Sequence, residues 1–141
     1  MFGAVKAAYE NCDCLIMAAA VSDYTIAKKS KVKIKKSDTP LRLDLKPTKD
    51  ILKWAGKNKK NQFLVGFALE DREIRKQAEQ KLNKKKLDMI IANRPAAISA
   101  ERSSVEIKVV NRDWLKIQNA SKTVIANKIV KLIAANQQTN Q

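Results

Sequence analysis

Three groups of side chains in this 141-residue chain have the type and spacing to hold a polyphosphate. The first is Lys33, Lys35 and Lys36, in the segment KVKIKK. A lysine ammonium is a compact charge on a long stem, suited to following negative charge as it develops on a reacting phosphate. The second is Lys81 and Lys85, four residues apart and therefore on one face of a helix. Two like charges stacked in this way repel each other unless an anion lies between them. The third is Asp23, just past the apolar run MAAAVSDY, where a carboxylate could accept a hydrogen bond from a ribose hydroxyl or hold a phosphate-bound cation. Each group also has a plainer reading, as a solvated loop, a solvated helix face and a turn residue, and spacing alone favours the plainer one.

The charge balance points the same way. Twenty-nine Lys and Arg stand against 14 Asp and Glu, a net charge of +15 that attracts polyanions, either nucleic acid or small phosphorylated ligands. Aromatic content is only 5%, and no RNA-binding aromatic signature or zinc-finger spacing is present, so a basic nucleic-acid-binding protein is the secondary reading. With no His, a zinc site lacks its usual ligands. Cys12 and Cys14 would share a face of a strand beginning at Asp13, too close for a well-formed bridge, and are expected as two small free thiols. No apolar run approaches the roughly 20 residues of a membrane span, and no secretory signal is evident, so no membrane association and a cytoplasmic location are expected. A dinucleotide oxidoreductase would need G-x-G-x-x-G, and the three glycines here are not so arranged.

The elements that must position these residues follow from pattern. Residues 2–10 read as a short amphipathic helix with Val5, Ala8 and Tyr9 on one side. Asp13–Ala20 (DCLIMAAA) and Gln62–Leu69 (QFLVGFAL) are continuous apolar runs, and Asp88–Ala92 (DMIIA) is a third, as expected of strands buried on both faces. Gly66 marks a close approach by a backbone or ligand. Residues 21–40 read as a lysine-rich loop, and Leu41–Leu45 as an alternating strand. Thr48 is placed to cap a helix over Lys49–Lys57, and a long helix runs from Glu70 to about Lys86 with Ile74, Ala78 and Leu82 as its apolar stripe. This order predicts an α/β fold, a Rossmann-like parallel sheet with crossover helices. Ser104–Val110 and Trp114–Ile117, joined by a turn at 111–113, predict a late antiparallel pair. Ser121 caps a C-terminal helix to about Ala135, with Val124, Ile125, Ile129, Leu132 and Ile133 buried and a frayed tail from Asn136.

Five segments in order, MAAAVSDY, KIKK ten residues after Asp23, LKPTKDI, LVGFALE and KxxxKxLDxIIAN, resemble the phosphopantothenate–cysteine ligase family. This is the synthetase half of the phosphopantothenoylcysteine decarboxylase/synthetase flavoproteins, and the resemblance covers about residues 2–93. It implies a single ligase domain over 1–141, in which 1–93 is the nucleotide-binding portion, 94–120 the late strands serving dimerisation, and 121–141 the C-terminal helix and tail. The implied reaction has two steps: 4′-phosphopantothenate attacks CTP to give an acyl-cytidylate, and the amine of cysteine then displaces CMP. By the same resemblance the backbone around Met17, Ala18 and Ala19 holds the nucleotide, Asp23 meets the ribose or the bound cation, and Lys33 binds the triphosphate as the catalytic residue. Thr48, Lys49, Asp50, Ile51 and Phe67 border the base, and Lys81 and Lys85 add phosphate contacts. CTP with Mg²⁺ is the implied nucleotide. FMN is expected only where a decarboxylase domain is fused, not on this chain, and the complete enzyme is expected to pair as a homodimer.

Two departures qualify the resemblance. The family's glycine-rich strand–loop–helix and its S-N-x-S-S-G stretch have no counterpart here, which predicts a sheet incomplete at its N-terminal side and a chain inactive alone. A non-catalytic nucleotide-binding fragment is therefore the nearer alternative. The acidic residue expected after IIAN is Arg94, and the D-x-N-x-V stretch reads Arg102-Ser103-Ser104-Val105.

Overall fold

A computed structural model describes residues 1–95 and 101–137. The chain forms two compact units, one of Met1–Ala18 with Ile51 onward and one of Ala19–Asp50.

In the larger unit the apolar runs become the strands β1 (Cys14–Met17), β4 (Phe63–Leu69) and β5 (Met89–Asn93), all parallel, joined in one sheet by the antiparallel strands β6 (Arg102–Val109) and β7 (Leu115–Ser121). The spatial order is β1-β4-β5-β6-β7, so β4 lies between two parallel neighbours. Successive residues of a strand face opposite ways, which explains why β4 has no polar side chain. Phe63 and Val65 pack on one face, with Ile125, Ile129 and Ile133 of α4 (Lys122–Gln137), while Leu64 and Ala68 pack on the other. That second face is covered by α1 (Phe2–Tyr9), α2 (Ile51–Lys57) and α3 (Ile74–Lys84) through Tyr9, Leu52, Ala55, Ala78 and Leu82. This is the Rossmann-like α/β arrangement the order of elements predicted.

Polar contacts fix the layers. The Tyr9 hydroxyl donates to the Ala55 carbonyl at 2.8 Å, tying α1 to α2, and the Trp54 ring stands edge-on to Phe2 and Tyr9. Desolvation raises the Tyr9 pKa and keeps the donor protonated. Asp88, just before β5, takes Lys59 Nζ at 2.6 Å on each carboxylate oxygen and also accepts the Leu64 N–H at 2.7 Å.

Several expectations are corrected. Strand β1 ends at Met17, leaving Ala18–Ala20 outside it. Cys12 precedes the strand and packs on the α1–α3 face, whereas Cys14 packs on the α4 face, so the two free thiols do not share a face. Burial raises the Cys14 pKa, with smaller contributions from Cys12, Asp88 and Asp13, and keeps it a thiol. Gly66 is approached by the side chains of Leu87 and Leu52, which a Cβ would meet at 2.7 and 3.1 Å. Ala8 and Val124 are exposed despite their place in the apolar stripes, because the covered arc of each helix is narrower than its apolar arc. Helix α3 starts at Ile74, after Glu73 turns the chain in a left-handed conformation (φ 46°). Helix α4 continues to Gln137, past the expected fraying point; the tail beyond it and residues 96–100 lie outside the described residues.

In the smaller unit, β2 (Tyr24–Ile26) pairs antiparallel with β3 (Leu45–Pro47) as a separate two-stranded sheet. Strand β2 falls in the segment read as loop, and of the predicted strand 41–45 only Leu45 is paired. The Thr48 hydroxyl donates to the Ser22 carbonyl at 2.6 Å within this unit rather than capping α2, which begins at Ile51. Every residue of the unit except the half-buried Thr48 is exposed, so it has no core of its own.

Two outcomes follow for stability. Gly56→Ala would gain about 1 kcal/mol of helix propensity, but its Cβ would lie 1.9 Å from the Lys85 carbonyl oxygen, a backbone atom that cannot step aside. The clash dominates, and denaturant titration is expected to show a net loss of about 1–3 kcal/mol. Asp88→Ala removes the acceptor of both Lys59 and the Leu64 N–H, with an expected loss of about 2 kcal/mol; Asp88→Asn, which keeps one acceptor oxygen, should lose less in the same titration.

Candidate functional site

Ligands in open α/β sheets bind outside the carboxyl ends of the parallel strands. In the larger unit that edge is built from the ends of β1, β4 and β5. Met17 is the last residue of β1 and stands opposite Gly66, while Phe67 and Leu69 stand opposite Ile91 and Asn93. The covering helices stop short of this edge on one face, where Ile16, Phe67 and Leu69 are 45, 38 and 44% exposed. The sheet therefore offers an apolar surface beside the strand ends, with an aromatic ring in it.

Polar groups converge at the same edge. The Glu70 N–H donates to the Asn93 carbonyl at 3.0 Å, extending the β4–β5 ladder one step beyond β4. Its carboxylate Oε1 lies 2.5 Å from Lys81 Nζ. Side chains of a helix lean toward its N-terminus, and α3 begins four residues after Glu70, so the stem of Lys81 runs back toward the strand end.

The implied site residues divide between the units. The larger holds Met17, Ala18, Ile51, Phe67, Lys81 and Lys85; the smaller holds Ala19, Asp23, Lys33, Thr48, Lys49 and Asp50. In the larger unit Met17, Phe67 and Lys81 come to the strand ends. Ile51 is only 4% exposed, so its side chain is a core group. Lys85 is the C-cap of α3, its carbonyl against Gly56, and Lys81 is matched by Glu70, so the two lysines are not an equivalent stacked pair. In the smaller unit the Asp23 carbonyl accepts the Thr48 N–H at 2.9 Å, which brings these two residues together at the end of the β2–β3 pair. Lys33 lies in the exposed, irregular stretch between β2 and β3. Among the described residues no group of three or more His, Cys, Asp or Glu is placed to hold a metal ion, and no helix is long and apolar enough to cross a membrane.

Sequence reasoning passed over Glu70, although a carboxylate directly after a fully apolar strand is a usable signal. It also missed a cavity of about 380 Å³ between the end of β5 and the β6–β7 pair, lined by Asn93, Arg94, Arg102, Glu106 and Lys116 among others. Its rim is shaped by a register shift: Asn119, at φ 43°, donates its N–H to Ser104 Oγ and accepts from Arg102 through both its carbonyl and its side-chain oxygen. No periodicity in the sequence announces such a bulge.

Comparison with known proteins places this geometry. The coenzyme A biosynthesis bifunctional protein CoaBC of Bacillus subtilis is 38% identical over 136 residues, covering 94% of this chain and 34% of that protein. A cysteine/cysteine sulfinic acid decarboxylase from an unknown prokaryotic organism is 47% identical over 87 residues, covering 61% of this chain and 24% of that protein. The chain thus spans about a third or less of the curated relatives it matches. Among solved structures, the C-terminal domain of a CoaBC superposes with a TM-score of 0.81 at 28% identity, covering 98% of this chain and 61% of that one. Residues 1–137 match the DNA/pantothenate metabolism flavoprotein C-terminal domain, and the chain belongs to that family.

Proposed function

We propose that this chain is the nucleotide-activating part of an acid–amine ligase of coenzyme A biosynthesis, which joins 4′-phosphopantothenate to cysteine at the expense of CTP. The observation that carries the reading is the alignment to a CoaBC over 94% of the chain, with the MAAAVSDY, KIKK and LVGFALE segments at strand ends and in the lysine-rich stretch. The decarboxylase name of the second relative is not carried over, because the match covers 24% of that protein.

In this reading a carboxylate oxygen of 4′-phosphopantothenate attacks the α-phosphorus of CTP, the bond to the β-phosphate oxygen breaks, and pyrophosphate leaves. The cysteine amine then adds to the acyl carbon, CMP departs with the bonding pair, and the nitrogen loses a proton. Negative charge accumulates on the phosphates in the first step. Lys33 neutralises it, as a mobile ammonium can follow the charge as it moves. Mg²⁺ bound to the triphosphate would supply further charge neutralisation, and Asp23 would be the protein carboxylate that holds it or the ribose. The β1 end at Met17 and the following alanines present backbone unobstructed by large side chains, and Phe67 offers an exposed ring to the base.

Binding and turnover test the reading together. Calorimetric titration with Mg²⁺ is expected to show CTP binding more tightly than ATP, and Lys33→Ala should weaken it. In the longest polypeptide carrying the chain, pyrophosphate release from CTP and 4′-phosphopantothenate should fall about a hundredfold or more in Lys33→Ala, the scale for removing one charge-stabilising group. Tight, steeply salt-dependent binding of nucleic acid that ignores CTP would overturn the proposal.

A further inference from the structure

Glu70 and Lys81 have a division of exposure that an ordinary surface ion pair lacks. The Glu70 side chain is 16% exposed and that of Lys81 43%. Oxygen Oε1 of Glu70 is closed off from solvent and, although the ammonium lies 2.5 Å away, the angles leave it without a hydrogen bond among the described residues. A ligand reaching this edge of the sheet meets the more exposed cation ahead of the largely covered anion. We propose that Glu70 is a positioning residue that holds Lys81 at the carboxyl ends of the parallel strands, ready for the phosphates of the nucleotide; the proposal rests on the CTP reading above.

Three features support it. First, the carboxylate is fixed by the fold: Glu70 continues the β4–β5 ladder through its N–H, and the chain turns sharply into α3 at Glu73. Second, a lysine on an exposed helix face samples many rotamers, and anchoring its head before the ligand arrives removes that entropy from the binding step. Third, the carboxylate leans on Lys81 at Oε1, and no hydrogen bond of regular geometry reaches that atom among the described residues. A buried carboxylate kept for stability would be expected to fill its acceptor sites, as Asp88 does with Lys59 and the Leu64 N–H. The nearby carboxylate offsets part of the ammonium's attraction for phosphate, and the greater exposure of Lys81 makes its ammonium the nearer charge to an arriving ligand.

The test is a calorimetric comparison of CTP and CMP binding, with Mg²⁺, in wild type, Glu70→Gln and the double variant Glu70→Gln/Lys81→Met. Lys81→Met alone is avoided because it would leave a buried carboxylate unpaired. Glu70→Gln is expected to weaken CTP about tenfold, the scale of one charge-assisted contact, with a smaller effect on CMP. The double variant is expected to bind CTP little worse than Glu70→Gln. Unchanged or tighter CTP binding in Glu70→Gln, or equal losses for CTP and CMP, would overturn the proposal. Should Glu70→Gln fold poorly, the double variant decides alone: wild-type affinity for CTP in it would also overturn the proposal. Failure of the wild type to bind CTP would instead count against the nucleotide reading itself.

Discussion

Over Phe63–Gly66 β4 is covered on both faces with no water within reach, so every peptide group there needs a partner in a neighbouring strand and every side chain an apolar surrounding. That requirement sets much of the larger unit. It places β1 and β5 on either side of β4, the α1–α3 layer under Leu64 and Ala68, and α4 over Phe63 and Val65. It also dictates the one glycine of the strand, since Gly66 lies where Leu52 and Leu87 already fill the space. A sheet core with these demands has no room for chemistry inside it. Reactive groups are confined to the ends of the strands and to segments outside the core.

The two ends of β4 are treated differently. At its start Asp88 is fully engaged, with Lys59 on both oxygens and the Leu64 N–H on one of them. Such a site resists change and locks the register of β4 against β5. At its end Glu70 meets Lys81 through Oε1, which has no hydrogen bond of regular geometry among the described residues, and the strand's last odd-numbered residues, Phe67 and Leu69, are exposed. The same residue types, a carboxylate and a lysine, thus make a closed clamp at one edge and an incomplete contact at the other. The carboxyl edge is where a ligand completes α/β sheets, and the unsatisfied pair falls on that edge.

Strand identity in the core was legible because double burial leaves a direct mark: unbroken apolar runs of strand length, separated by an amphipathic helix. The α4 face and β6 were legible from periodicity, and the first half of β7 from the turn before it. What the sequence hid was of other kinds. The β2–β3 pair has no buried face, so Tyr24–Ile26 showed none of the patterning that burial imposes. The left-handed turns at Glu73 and Asn119 use residues without the usual glycine signature, so the start of α3 and the bulge beside the 380 Å³ cavity went unseen. Type and spacing pointed to Asp23, Lys33, Lys81 and Lys85 and resemblance added the other site residues, and structure separates them: Phe67 and Lys81 reach the strand ends, whereas Ile51 turns into the core.

The smaller unit poses the sharpest electrostatic question in the chain. Lys28, Lys29, Lys31, Lys33, Lys35 and Lys36 crowd into a stretch with no buried side chain and only Asp23, Asp38 and Asp44 close by in sequence. Like charges at this density repel, and no core resists them. A bound polyanion relieves that repulsion, so the segment should be most ordered when its ligand is present. Nucleic acid could serve electrostatically, but single-strand binding platforms interleave aromatic rings with the cations, and residues 27–44 contain none. The interleaved residues are instead Val32, Ile34, Leu41 and Leu43, all more than half exposed. Aliphatic side chains offer no stacking surface for successive bases, whereas they can exclude water around a compact phosphate group, where each ammonium acts more strongly. The composition of this stretch therefore favours a small polyphosphate over a strand of nucleic acid.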